Sequence, residues 1–164
     1  GTSGDDLIDA GAGTVGTFTG GTVAQLQDAI GDSFTAGDGA DTIRAGTGGD
    51  TLQGDAGSDS LDGGGGNDVI YGNGSDDSLL GGKDNDKLYG GAGSDTVSGD
   101  AGNDIFYGNS GVVTLIDNSV DRFYGGDGND QAFGEGGEDT LYGEAGDDDI
   151  VGNTAVIRFM AALT

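Results

Sequence analysis

The chain has 164 residues, of which 39 are Gly and only 7% aromatic, with no Pro, Cys, His or Trp, and its thirty acids against five bases give a formal charge of -25. So much glycine with so few large side chains loses more backbone entropy than apolar burial offsets, so the bare chain is expected to be disordered and a cation must complete any fold. The charge excludes nucleic acid and anionic lipid as partners, and without His or Cys the only ligands are oxygens, which select hard cations such as calcium over zinc or copper.

In chain order, the residues fall into copies of a nine-residue unit, whose positions are numbered here from place one to place nine. The first copy is GTSGDDLID at 1–9, with Asp6 at place six. In the next copy, residues 14–31 fill the gap before its place-six residue, Asp32, and read as an insertion extruded from one turn. Within it TVAQLQDAIG predicts a short helix: Thr22 and Gln25 form a capping-box pair, Val23, Leu26 and Ile30 share a face, and Gly31 stops it. An unbroken run follows, with Asp41, Asp50, Asp59, Asp68, Asp77, Asp86, Asp95 and Asp104 at place six. Place eight in these copies is Ile43, Leu52, Leu61, Ile70, Leu79, Leu88, Val97 and Phe106. Place four, normally Gly, is Ser75 in one copy and Asp84 in the next. A second insertion, VVTLIDNSV at 112–120, is apolar and β-branched and is expected to be extended. The series then resumes with Asp121, Asp130, Asp139 and Asp148 at place six and Phe123, Ala132, Leu141 and Ile150 at place eight, where Ala132 predicts a local weakness in the interior row. The tail, 152–164, contains AVIRFMAAL, begins much as the second insertion does, and has a pattern that fits more than one secondary structure. One domain, 1–164, accounts for the whole chain.

The clearest copies read GGGGNDVIY at 63–71, GGAGSDTVS at 90–98, GDAGNDIFY at 99–107 and GGDGNDQAF at 125–133. This unit resembles the repeats-in-toxin (RTX) consensus GGxGxDxUx, and the resemblance covers roughly four fifths of the chain. It implies an all-β fold: a right-handed parallel β-roll, or β-solenoid, with two nonapeptides per coil. Places one to six turn, with Gly at places one, two and four for its tolerance of positive φ, and places seven to nine form a short strand with the middle side chain inward. Fourteen copies give about seven coils, or roughly 34 Å of roll.

The resemblance further implies that place-six carboxylates on successive coils hold calcium together with carbonyl oxygens of the glycine loops, because calcium takes six to eight oxygens and two carboxylates alone supply too few. One edge of the roll then carries Asp6, Asp41, Asp59, Asp77, Asp95, Asp121 and Asp139, and the other Asp32, Asp50, Asp68, Asp86, Asp104, Asp130 and Asp148. The loop glycines assigned to these sites are Gly37 and Gly39, Gly46 and Gly48, Gly54 and Gly57, and Gly63, Gly64 and Gly66. Further along they are Gly90, Gly91 and Gly93, Gly99 and Gly102, Gly125, Gly126 and Gly128, Gly134 and Gly137, and Gly143 and Gly146. About twelve Ca2+ ions would carry roughly +24, nearly cancelling the formal -25. A solvated turn or acidic linker explains an isolated GDG, but not fourteen aspartates in register. An EF-hand fails because Leu88 stands where an oxygen ligand is required after Asp84 and Asp86.

Metal binding and folding should then be one event, in calcium-rich, extracellular surroundings, the cell surface among them. No apolar run is long enough to insert in a membrane and no N-terminal signal-peptide pattern is present, and the opening Gly suggests a processed chain or a fragment. No nucleophile-and-base constellation remains once the regular acids are assigned to metal, which argues against an enzyme. Two roles compete. One is an extracellular structural or adhesive module, self-associating end to end as a filament, surface layer or matrix. The other is the secretion and folding module of a larger toxin or hydrolase exported by type I secretion, a route implied by the resemblance, although the ending FMAALT lacks the acidic-plus-apolar pattern often seen there. The joined tail and head, GNTAVIRFMAALTGTSGDDLID, is similar to the internal GNSGVVTLIDNSVDRFY and favours the first. So does an outward aromatic row at place nine, Tyr71, Tyr89, Tyr107 and Phe133 on one sheet with Tyr124 and Tyr142 on the other, which either steadies neighbouring strands or offers a surface to a glycan or another chain.

Overall fold

A computed structural model describes residues 7–9, 17–19, 31–109 and 120–152. The nonapeptide supplies one large apolar side chain per copy, so no single strand can bury itself and the strands form a core only by stacking. They are β1 (Leu7–Asp9), β2 (Thr17–Thr19), β3 (Ser33–Asp38), β4 (Thr42–Thr47), β5 (Thr51–Ala56), β6 (Ser60–Gly65), β7 (Val69–Gly74) and β8 (Ser78–Lys83). The series continues with β9 (Lys87–Ala92), β10 (Thr96–Ala101), β11 (Ile105–Tyr107), β12 (Arg122–Asp127), β13 (Gln131–Phe133), β14 (Thr140–Ala145) and β15 (Asp149–Val151). All pair in parallel, in a 7-stranded sheet ordered β1-β4-β6-β8-β10-β12-β14 and an 8-stranded sheet ordered β15-β13-β11-β9-β7-β5-β3-β2. This is a β-roll of about 6 turns. The register follows the repeat: Ile43 lies beside Leu61, Leu61 beside Leu79 and Leu79 beside Val97. It holds across the second insertion, where Val97 lies beside Phe123 and Phe106 beside Ala132. Among the described residues no helix is long and apolar enough to cross a membrane.

Most strands are twice as long as the three residues expected. In β4, places seven to nine (Thr42, Ile43, Arg44) continue through places one to three of the next copy (Ala45, Gly46, Thr47), with both Ile43 and Ala45 buried. Places eight and one therefore both face the interior, and the sharp bend is confined to places four to six. The reason is steric: the inward positions at place one carry Gly or Ala and leave room for the ladder to continue.

The interior is the row of place-eight side chains, joined by Phe34 and by Ala36 and Ala45 from place one. Ala132 is fully buried, and its in-register neighbour Phe106 stacks on Phe123 across the two sheets with ring centroids 5.0 Å apart. Two adjacent rings thus supply bulk beside the small residue, and the roll runs on through it to Leu141.

The first insertion contributes a strand to the roll. Its residues Thr17–Thr19 form β2, which pairs with β3 (Phe18 beside Phe34), while β1 pairs with β4 (Ile8 beside Ile43). A regular path would lead from β1 to the level of β3, as it leads from β4 to β5. Instead the chain steps back half a turn, lays β2 beneath β3, and then rises. Gly31 aside, the predicted helix lies outside the described residues, as do all of the second insertion but Val120 and the tail beyond Gly152.

Candidate metal site

Place six follows the bend, and the fold turns its side chain inward: Asp41, Asp50, Asp59, Asp68, Asp77, Asp86, Asp95, Asp104, Asp121, Asp130 and Asp139 are all buried. From Asp50 and Asp59 onward, each place-six Asp is tied to the coil before it. The backbone N–H of Asp41 donates to Oδ1 of Asp59 (2.8 Å), that of Asp59 to Asp77 (2.8 Å), and that of Asp77 to Asp95 (2.9 Å). Across the second insertion Asp95 donates to Asp121 (2.9 Å), and Asp121 donates to Asp139 (3.1 Å). The other edge runs likewise from Asp32 through Asp50, Asp68, Asp86, Asp104 and Asp130 to Asp148, at 2.6 to 3.0 Å. The place-six carbonyls take the place-seven N–H of the following coil, as in Ser78 to Asp59 at 2.8 Å. The two rows read from the sequence are thus brought together, Asp6 alone lying outside the described residues.

The second carboxylate oxygen is the chemically open one. Oδ2 of Asp59, Asp68, Asp77, Asp86, Asp104 and Asp130 is buried and accepts no hydrogen bond. It occupies the space that a side chain at place one of its own copy would fill. A Cβ added to Gly54 would collide with Oδ2 of Asp59 and lie 2.9 Å from the Gly72 carbonyl oxygen, and one added to Gly63 would meet Asp68 and the Gly81 carbonyl oxygen in the same way. Gly90, Gly99 and Gly125 are placed alike, and Gly134 and Gly143 lie as close to Oδ2 of Asp139 and Asp148. This corrects the sequence expectation for place one, where glycine serves close approach and its φ is not positive.

Positive φ belongs to places two and four. Gly37, Gly46, Gly64, Gly91 and Gly126 hold it at place two, and Gly39, Gly48, Gly57, Gly66, Gly93, Gly102, Gly128, Gly137 and Gly146 at place four. Ser75 (φ 81) and Asp84 (φ 75) keep the same left-handed turn without glycine, and so do Asp55, Asn73, Asp100, Glu135 and Glu144 at place two.

Burial without a countercharge shapes the titration of the rows. Desolvation is the largest cause, and neighbouring carboxylates add to it, against the hydrogen bond from the preceding coil. Together they push Asp59 up from 3.8 to about 6, Asp68 and Asp77 to about 7, Asp86 to about 8 and Asp104 to about 6. Asp130 is raised for the same reasons.

Sequence reasoning missed a second ladder at place five. The N–H of Asn85 donates to Oδ1 of Asn67 (2.9 Å), Asn103 to Asn85 (2.7 Å), Asn129 to Asn103 (2.8 Å) and Asp147 to Asn129 (2.9 Å). Its direction is opposite to that of the place-six bonds. The available signal was Asn recurring at place five on alternate copies.

These residues fit a hard divalent cation. The oxygens gathered at each glycine are carboxylate and carbonyl, the carboxylates are buried in rows that repel one another, and glycine opens the space around them. Among the described residues no three acidic side chains converge on one point, so carbonyl oxygens must complete any coordination sphere.

Comparison with known families agrees. The model of the RTX calcium-binding nonapeptide repeat (4 copies) matches residues 1–14, 35–70, 53–88, 80–115 and 117–154. No curated protein and no solved structure matches the chain. Repeat, roll and carboxylate rows together place the chain in the RTX calcium-binding nonapeptide repeat family, as a calcium-binding repeat module.

Proposed function

We propose that calcium ions sit along both edges of the roll, each between the place-six carboxylates of successive coils, with carbonyl oxygens of the glycine loops completing the coordination, about twelve ions in all. The observation that carries this reading is the buried Oδ2 of Asp59, Asp68, Asp77, Asp86, Asp104 and Asp130, which has no hydrogen-bond donor. Bound calcium supplies positive charge that cancels the repulsion between coils. The chain's own residues supply the rest: Oδ1 holds the preceding coil, Oδ2 faces the ion, and glycine at place one leaves it room. The module is therefore unfolded where calcium is scarce and folded outside the cell.

Its role on this reading is that of an extracellular structural or adhesive element. Strands β14 and β15 each have a free edge among the described residues, which supports end-to-end stacking of rolls into a filament, surface layer or matrix. The same metal-dependent folding supports a second reading, a secretion and folding module for a larger exported protein, because buried like charges keep the chain open before export. Circular dichroism during a calcium titration, with light scattering and electron microscopy on the same samples, tests both levels. Calcium-induced β-structure with growing particles is expected. Equal order after exhaustive chelation would overturn the metal reading, and folded monomers alone would leave the secretion-module reading.

A further inference from the structure

Strand β2 occupies a seat that the repeat pattern assigns to something else. The strand directly beneath β3 in a continuous roll would come from the nonapeptide preceding β1, yet β2 comes after β1 and reaches the seat by stepping back. At the opposite end of the same sheet, β15 is the terminal strand. Its backbone alternates as parallel strands do: the Asp149 N–H donates to the Asp130 carbonyl (2.8 Å) and the Val151 carbonyl accepts from Gly134 N–H (3.1 Å), so both residues face inward along the sheet. Ile150 thereby points its N–H and C=O to the edge that no described strand covers. In β2 the residue at the corresponding step is Phe18, beside Phe34. The two strands thus offer the same three-residue hydrogen-bonding edge to the strand above, and only one can pair with β3.

We propose that β2 is a plug: a strand of the chain itself that fills the β3 seat to which β15 of a second copy would otherwise add, and so holds back end-to-end growth of the roll. The inference rests on the stacking reading above and specifies its control. The incoming occupant is a second copy, because the fit is one of register. With β15 of the incoming copy beneath β3, Asp149, Ile150 and Val151 would lie beside Ser33, Phe34 and Thr35, and β1 of the receiving copy would follow β15 at the next half-turn, as β4 follows β3. The joint would therefore continue both sheets without a gap. With β2 in place, no described strand fills the matching position in the 7-stranded sheet at such a joint.

Proline at position 18 removes the N–H that β2 presents to β3, and the test is to compare Phe18→Pro with the unaltered chain in calcium by sedimentation and electron microscopy, with circular dichroism as the measure of folding. The proposal expects a folded variant whose self-association is at least about tenfold stronger, forming particles one roll wide, and expects the double variant Phe18→Pro, Ile150→Pro to return to monomer. If unaltered chain and variant stack equally well, the plug is wrong while end-to-end stacking stands. If both are folded monomers, stacking and plug fall together. If Phe18→Pro no longer folds in calcium, β2 is a part of the folding unit and the plug is again wrong.

Discussion

Asp86 concentrates the conflict in the rows, with its pKa pushed up to about 8 by burial first and by Asp68, Asp104 and Asp84 next. Asp86→Asn keeps an Oδ1 acceptor for Asp68 but removes a carboxyl that must take up a proton to be buried without metal. The variant should be better ordered than the parent without metal at pH 7, yet should need more calcium to fold and bind about one or two ions fewer, which circular dichroism and calorimetric titration read directly. The rows also fix the pH response. Unfolded aspartates titrate near 3.8, so carboxylates raised to between about 6 and 8 in the fold favour the metal-free roll fully below about pH 4, and this contribution is lost as pH rises through 6 to 8. Ellipticity of calcium-free protein should therefore grow on acidification through that window, whereas calcium affinity should fall and binding should release protons. A smaller effect belongs to Ser75, whose left-handed φ of 81 strains a residue with a Cβ. Ser75→Gly should stabilise the calcium-bound roll by about 0.5–1 kcal/mol, the relief of strain being partly offset by backbone entropy, as urea denaturation would report. At this scale place six was legible because one residue type recurs with a fixed period. The purpose of place-one glycine was not, because a close approach depends on a side chain five residues away, as Gly54 does on Asp59.

Stacked copies turn single residues into continuous rows, and the aromatic row at place nine is the clearest. Tyr71, Tyr89, Tyr107 and Phe133 stack face to face at 4.7, 5.0 and 5.2 Å with interplanar angles of 8 to 12°. Tyr124 and Tyr142 do the same on the other sheet at 5.2 Å. The ring faces are taken up by one another and only edges remain outward, which supports strand-to-strand stabilisation over sugar stacking. Tyr89→Ala breaks two ring contacts and should lower stability by about 1–3 kcal/mol; a double-mutant cycle with Tyr107→Ala would isolate the coupling. Leu88→Ala, in the buried row, should cost about 2–5 kcal/mol in denaturant titrations with calcium. The existence, spacing and inward residue of each strand could be read from the repeat. Their extension through places one to three could not, since Gly-rich sequence reads as turn and becomes strand only when a neighbouring coil supplies the ladder. The place-five Asn row was hidden for a similar reason: Asn67, Asn85, Asn103 and Asn129 sit in separate copies and meet only once alternate copies stack.

For the molecule as a whole, a formal charge of -25 and an interior one apolar side chain deep per copy mean that no coil is stable by itself. The place-six hydrogen bonds then give the stack an orientation. In every described neighbouring pair the later coil's carboxylate receives the earlier coil's N–H, from Asp32 and Asp50 at one end to Asp130 and Asp148 at the other. A coil is thus finished by what comes after it in the chain, and the last one acts as a keystone. Removing a coil from the C-terminal side takes away the acceptor its neighbour's place-six N–H was using, whereas trimming the N-terminal side leaves every remaining place-six N–H served and strands the place-five and place-seven N–H groups instead. Along the place-six rows a loop that docks from Asp148 toward Asp32 meets an acceptor already set in position, whereas the place-five and place-seven bonds favour docking in the reverse direction, so each coil is clasped from both sides.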